Sequence, residues 1–250
     1  MRALRLKRST VRQVAAAATL AAGLGIGAVP AKADIAYTWD FSGSASGSQL
    51  TFGATGAPSE ILKVRAYSIQ DNNSWRTFST ATVNLYSGGL GVNNGSNDSN
   101  DPQHSVDNNG RKDFVLFEFD NALHDPTSLK IGWKYNDSDM QLWIGTGAAG
   151  LNLANGCGGN ACQLSQLGGL GFTALTSLSN VPTNTSTTIT NSILGRYLLI
   201  APRLDQSDDY FKISQITNNE VTVPEPGSLA LFAAGLAGVG LARRRARKSS

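Results

Sequence analysis

The chain has 250 residues, of which 21 are lysine or arginine and 18 are acidic, so its formal net charge is +3. Eleven of the basic residues lie in the first 33 and the last 28 positions, and residues 34–222 keep 10 basic and 17 acidic residues. This acidic segment is long enough for one domain with a hydrophobic core. Its charge excludes nucleic acid as a partner, because phosphate binding needs clustered lysine and arginine.

Residues 1–33 have the organisation of a secretory signal peptide. Residues 14–29 are apolar and rich in alanine and glycine, and Ala31 and Ala33 fit the small-x-small cleavage rule. The basic residues that precede the apolar run are Arg2, Arg5, Lys7, Arg8 and Arg12. We predict cleavage after Ala33, with an uncleaved N-terminal anchor as the alternative.

Residues 34–222 contain short runs that alternate between apolar and polar side chains, separated by turn-forming residues. The runs are 35–41, 49–52, 61–69, 75–86, 114–120, 129–135, 141–144, 197–200 and 210–216. Within 129–135, the spacing of Leu129, Ile131 and Trp133 predicts that all three face the core. The pattern predicts an all-β fold, a single antiparallel β-sandwich of jelly-roll type.

Four tryptophans are many for a domain of this length, and they are Trp39, Trp75, Trp133 and Trp143. Aromatic side chains bury large areas, so core packing is the ordinary interpretation. Trp75 follows the polar residues 72–74 and is the best candidate for exposure and for contact with a glycan. An exposed aromatic platform would make the protein a carbohydrate-binding module that acts on extracellular polysaccharide.

The most polar segment is 93–110, which is rich in asparagine, aspartate, serine and glycine. Asp98, Asp101 and Asp107 offer the oxygen ligands that Ca²⁺ prefers, although their spacing differs from an EF-hand loop. The same residue types also favour turns, so a solvated loop is the simpler interpretation. We therefore predict no obligatory cofactor, with calcium as a possible one.

Residues 148–180 are rich in glycine and leucine and are poor strand candidates, so we expect a long loop, with a short helix around 162–167. Cys157 and Cys162 lie in this segment and are the two cysteines of the chain. In an oxidising compartment they are expected to form a disulfide that rigidifies the loop.

The sequence offers little support for catalysis, and we predict that the protein is not an enzyme. The segment 34–222 holds two histidines, and no nucleophile motif is complete. A glycosidase needs two facing carboxylates, and the candidates are Asp113, Glu118, Asp120, Asp137 and Asp139. Glu118 lies mid-strand between two phenylalanines, and we expect its side chain on the solvent face.

The last 28 residues have three parts in a fixed order. The first is the motif Val223, Pro224, Glu225 and Pro226. The second is residues 228–242, an uncharged segment that would be about 22 Å long as a helix, shorter than the bilayer core of about 30 Å. The third is the basic end with Arg243, Arg244, Arg245, Arg247 and Lys248. Arginines that snorkel to the headgroups would lengthen the span and mark the cytoplasmic side.

The order of motif, apolar segment and basic end resembles the PEP-CTERM sorting signal of Gram-negative bacteria. The resemblance implies a transient stay in the inner membrane, cleavage by the membrane protease exosortase near 223–226, and delivery to the cell surface or to an extracellular polysaccharide matrix such as a biofilm. The residues alone would also fit a permanent C-terminal anchor. The resemblance thus predicts three parts for the chain: a signal peptide (1–33), an extracellular domain (34–222) and a sorting tail (223–250).

Overall fold

The computed structural model describes residues 35–70, 76–95, 104–120 and 124–220, which form fourteen strands and two short 3-10 helices. The strands are β1 (Ile35–Asp40), β2 (Ala45–Gly47), β3 (Gln49–Ala54), β4 (Ala57–Gln70), β5 (Phe78–Tyr86), β6 (Gly89–Asn93), β7 (Val106–Asp107), β8 (Arg111–Phe119), β9 (His124–Asn136), β10 (Met140–Gly145), β11 (Phe172–Ala174), β12 (Thr187–Thr188), β13 (Tyr197–Pro202) and β14 (Asp209–Glu220). The helices are Leu164–Gln166 and Gly168–Leu170. All pairings between these strands are antiparallel, so the predicted all-β class is confirmed.

The strands form two groups that are joined by β5. In the first group, the β4 sheet, the order is β11-β10-β13-β8-β4, and β3 also pairs with β4. In the second group, the β14 sheet, the order is β6-β14-β9-β12, with β1 and β7 also paired to β14. Residues 78–81 of β5 pair with β4, and residues 82–86 pair with β6, so one strand belongs to both groups.

A single hydrophobic cluster draws side chains from both sheets. Val115, Phe117 and Phe119 of β8 reach it from the β4 sheet. Ile213 and Ile216 of β14 reach it from the β14 sheet, together with residues of β1 and β9. Burial of apolar area at about 25 cal/mol per Å² makes this shared core the main source of stability.

The opposite face of the β4 sheet is also buried, because residues 146–172 fold over it. Phe114 and Leu116 of β8, and Tyr197 and Leu199 of β13, pack there against loop residues such as Leu153. Strands buried on both faces need continuous apolar runs, which explains residues 114–117 of β8 and residues 197–201 of β13. The two 3-10 helices lie within the segment for which the sequence predicted a loop with a short helix.

The prediction of Glu118 on a solvent face was wrong, because the loop covers that face. The residue is 2% exposed. Its Oε2 accepts a hydrogen bond of 2.9 Å from Arg65, and its Oε1 accepts one of 2.7 Å from the backbone N–H of Gly150. Glu118 therefore ties the covering loop to the β4 sheet.

In the same loop, Cys157 and Cys162 form a disulfide with a Cα–Cα distance of 5.1 Å. Cys162 is fully buried in the cluster beneath the loop, and its N–H donates to the carbonyl of Leu153 at 2.8 Å. The disulfide thus constrains the part of the loop that packs on the β4 sheet.

Candidate functional site

Most residues of the predicted sites lie outside the described part of the chain. These are the sorting motif with Val223, Pro224, Glu225 and Pro226, the basic end with Arg243, Arg244, Arg245, Arg247 and Lys248, the signal cleavage residues Ala31 and Ala33, the glycan candidate Trp75, and the calcium candidates Asp98 and Asp101. Within residues 35–70, 76–95, 104–120 and 124–220, no helix is long and apolar enough to cross a membrane. The predicted tail helix at 228–242 falls outside those ranges.

Asp107, the third calcium candidate, is described and is buried within a polar turn. Its two carboxylate oxygens accept hydrogen bonds from the Ser105 hydroxyl at 3.2 Å and from the Asn109 N–H at 3.1 Å. Its own N–H donates to the carboxylate of Asp113 at 3.4 Å. These contacts close the turn between β7 and β8, and the burial of Asp107 differs from the solvated loop that the sequence suggested.

A different acidic cluster lies between the end of β9 and the start of β10, next to the first residue of β14. One carboxylate oxygen from each of Asp137, Asp139 and Asp209 lies within 4.8 Å of the others. Asp209 is 0% exposed, and it accepts hydrogen bonds from Asn108 at 2.6 Å and from the N–H of Asp139 at 2.7 Å. Of the five carboxylates singled out from the sequence, Asp137 and Asp139 are thus brought together, with Asp209 as a third member.

Burial raises the pKa of Asp209 to about 6, and the nearby Asp139 and Asp137 charges add to the rise. The hydrogen bonds from Asp139 and Asn108 act in the opposite direction. Asp139 accepts a hydrogen bond of 2.7 Å from the N–H of Asn180, and Arg203 lies 3.8 Å from its other oxygen. Three carboxylates at this spacing suit a hard divalent cation, and the same hydrogen bonds also tie three segments together.

The outer face of the β14 sheet carries an aromatic and cationic surface that the sequence pattern concealed. Ile131 of β9 pairs with Ile213 of β14, whereas Trp133 pairs with Lys212, so Gly132 is an extra residue in β9. Such a bulge reverses the alternation of faces. Ile131 therefore points into the core, while Trp133 lies on the outer face beside Lys212.

The prediction that Trp133 belongs to the core was accordingly wrong, since Trp133 is half-buried and lines an open pocket. Trp39 and Trp143 are buried, as predicted. A glycine inside a strand is a known signal for a bulge, so Gly132 was the feature from which the change of face could have been read. Nothing in the sequence indicated that Lys212 belongs to this surface, because it occupies an ordinary polar position of an alternating strand.

The open pocket beside Trp133 has a volume of about 400 Å³, and we call it the aromatic–lysine pocket. Its lining residues are Tyr86, Ser87, Gly88, Gly132, Trp133 and Lys212. The Lys212 Nζ lies 4.3 Å from the centroid of the Tyr86 ring and 4.9 Å from that of the Trp133 ring. Both distances are within the range of cation–π attraction. The His104 ring is nearly parallel to that of Tyr86, with a centroid distance of 6.1 Å and an interplanar angle of 8°.

Two of the residues that line the aromatic–lysine pocket are glycines whose backbones approach closely. A Cβ atom at Gly132 would lie 2.5 Å from the carbonyl oxygen of Gly88, and one at Gly88 would lie 3.1 Å from the Cβ of Trp133. The close approach of the two backbones thus leaves no room for larger residues.

The aromatic surface continues along β9 beyond the pocket. Tyr135 is 58% exposed and is the one large hydrophobic residue of the described ranges with an exposed side chain. It packs edge-on against Tyr210, the residue opposite it on β14, at a centroid distance of 5.8 Å. Because Trp133 and Tyr135 are two residues apart in one strand, both lie on the same face, about 7 Å apart along the strand.

The comparisons with known proteins bear on the last part of the chain. No curated protein matches the chain, and no solved structure does so either. The family model for the PEP-CTERM protein-sorting motif matches residues 222–246, which include the Pro-Glu-Pro motif, the apolar segment and most of the basic end. The chain therefore carries a PEP-CTERM protein-sorting motif, a signal that is consistent with export and with processing by exosortase at the membrane.

Proposed function

We propose that this protein is a non-enzymatic component of the cell surface or of the extracellular matrix, released from its sorting tail by exosortase. The match of the sorting motif to residues 222–246 is the observation that supports the proposal. In this scheme the signal peptide is removed after Ala33, and residues 228–242 hold the chain in the inner membrane with the basic end in the cytoplasm. Cleavage near 223–226 then frees the acidic domain to join the extracellular polymer layer.

We propose a β-sandwich of jelly-roll type for residues 34–222. The hydrophobic cluster shared by the two antiparallel sheets supports this architecture. A compact domain with both sheets packed on one core suits exposure outside the cell, where a disulfide such as Cys157–Cys162 persists.

A second candidate function is the binding of extracellular polysaccharide. The observation that favours it is the aromatic surface of Trp133, Tyr135 and Tyr86 on the outer face of the β14 sheet. One exposed ring and two partly buried rings offer flat apolar platforms beside polar groups, which ligand sites for sugars need. Calcium could support such a site through Asp137, Asp139 and Asp209, whose carboxylates converge.

The experiment that tests sorting is the intact mass of the protein recovered from outside the cells, with and without exosortase. We expect a species that begins at Asp34 and ends near 223–226, and we expect its loss in the exosortase mutant. Glu225→Ala should block cleavage because it alters the motif, whereas Glu220→Ala, five residues earlier, is the matched control and should leave cleavage intact. A species that retains residues 243–250 in both strains would overturn the proposal and identify the tail as a permanent anchor.

A further inference from the structure

Lys212 differs from the other buried charged residues of the protein in what surrounds its charge. The residue is 5% exposed. The similarly buried Lys112 donates hydrogen bonds to the carbonyls of Asn108 at 2.8 Å and Gln206 at 2.6 Å. Lys212 has two aromatic rings near its Nζ, but within the described ranges it has neither a carboxylate partner nor a hydrogen-bond acceptor.

Little of the Lys212 side chain is exposed to solvent, and cation–π attraction replaces only part of the hydration that its ammonium has lost. Lys212 is one of the residues that line the open aromatic–lysine pocket, so a ligand in the pocket lies beside this side chain. Among the described residues that line the pocket, none is acidic. The pocket thus presents one positive charge with unused donor capacity to whatever enters.

The walls of the pocket suit a flat, partly apolar ligand of moderate size. Its volume of about 400 Å³ lies within the range of small-molecule sites. The half-buried Trp133 lines the pocket, and two further lining residues, Gly88 and Gly132, have no side chain. A pyranose ring can place its C–H face on such an aromatic wall while its polar substituents point elsewhere.

We infer that the aromatic–lysine pocket binds an acidic sugar, a pyranose that carries a carboxylate, within an extracellular polysaccharide. The sugar ring packs on Trp133, and its carboxylate accepts charge-assisted hydrogen bonds from Lys212. Tyr135, farther along the same strand, provides a second ring for the neighbouring sugar unit. This inference rests on the proposed polysaccharide-binding function and names the class of sugar.

The test compares a glucuronate tetrasaccharide with the matching glucose tetrasaccharide, using the full chain in mild detergent and calorimetry to measure affinity. The wild-type protein should prefer the acidic oligosaccharide by about tenfold or more, the effect expected of one charge-assisted contact. Lys212→Met keeps the length of the side chain and should abolish that preference, so that the two oligosaccharides bind with similar affinity. Trp133→Ala should weaken the binding of both oligosaccharides.

Lys63→Met is the matched control, because Lys63 lies on β4 in the other sheet, and it should bind both oligosaccharides as the wild type does. Equal affinity of the wild-type protein for the two oligosaccharides, or no binding of either, would overturn the inference without any variant. An unchanged preference in Lys212→Met would overturn it as well. The intact-mass experiment is independent of sugar binding, so failure here and failure of sorting are distinguishable.

Discussion

The outer faces of the two sheets are both rich in aromatic residues, and they differ in what covers them. On the β4 sheet, the loop 146–172 buries Phe114 and Tyr197 beneath leucines and a disulfide. On the outer face of β9 and β14, Tyr135 is exposed and Trp133 is half-buried. The same residue type thus stabilises the fold on one face and remains available for contact on the other, so composition alone does not distinguish the two roles.

The largest effect should come from an aromatic side chain on the covered face. Phe114 packs against Phe78 and Trp143 at centroid distances of 5.0 and 6.0 Å. Phe114→Ala should lower the free energy of unfolding by about 3–5 kcal/mol, because the covered face cannot refill the cavity. Tyr135→Ala, on the open face, should cost less than about 1 kcal/mol. Denaturant unfolding of both variants measures the difference, and equal losses would refute the contrast between the faces.

The next largest loss of stability should come from Glu118, the charged residue buried beneath the loop 146–172. Glu118→Ala should cost about 2–4 kcal/mol, because Arg65 loses its partner and the Gly150 N–H loses its acceptor. Glu118→Gln retains an acceptor for Gly150 and should cost less. Denaturant unfolding measures both variants. A loss below about 1 kcal/mol for the alanine variant would show that Glu118 contributes little to holding the loop on the sheet.

The acidic cluster predicts how stability depends on pH. The pKa of Asp209 rises from 3.8 to about 6 on folding, so the folded state binds this proton more tightly than the unfolded state does. The free energy of unfolding contributed by this group is therefore highest below pH 4 and decreases, by about 2–3 kcal/mol, as pH rises from about 4 to about 6.

Asp209→Asn cannot titrate, and it should remove that decrease from the curve of stability against pH. The measurement is denaturant unfolding at a series of pH values between 3.5 and about 7, a window that brackets both pKa values. Asp205→Asn is a suitable control, because its carboxylate is exposed and pairs with Arg203 instead. If the wild-type and Asp209→Asn curves ran parallel across this window, Asp209 would not be the group that makes stability decrease with pH.

The smallest effect is predicted for the open face. Lys212→Met removes a buried charge without a hydrogen-bond acceptor, so it should leave the free energy of unfolding unchanged or raise it by up to about 1 kcal/mol. Burial lowers the pKa of Lys212, which agrees with a charge that costs stability. Lys112→Met is the matched comparison and should lower stability by about 1–3 kcal/mol, because two carbonyl oxygens lose their donor. If both lysine variants lost similar amounts of unfolding free energy, the proposed difference between a lysine with hydrogen-bond acceptors and one without them would be wrong.

Much of the fold could be predicted from local pattern. Alternation located strands such as β4 and β9, because a strand with one buried face repeats every two residues. The run 197–200 was predicted as a strand and forms part of β13, but its burial on both faces depends on a loop that begins some 50 residues earlier. For the same reason Glu118 was assigned to the wrong environment, since nothing in its own strand reveals the covering loop.

The candidate site was less accessible to prediction than the fold. Trp133 was placed in the core because alternation was continued through Gly132, whereas the bulge there reverses the face. Tyr86 and Lys212 lie more than 120 positions apart in the chain and meet only because β6 pairs with β14. The convergence of Asp209 with Asp137 and Asp139 likewise requires β14 to pair with β9.

The sequence by itself determined the sorting motif and the all-β class, because both are written in short contiguous patterns that need no distant partner. Tertiary structure alone decided which face is covered, where the bulge turns Trp133 outward, and which charges are buried with or without partners. These features depend on contacts between residues far apart in the chain. Their energetics follow from burial and hydrogen bonding, which a linear pattern does not record.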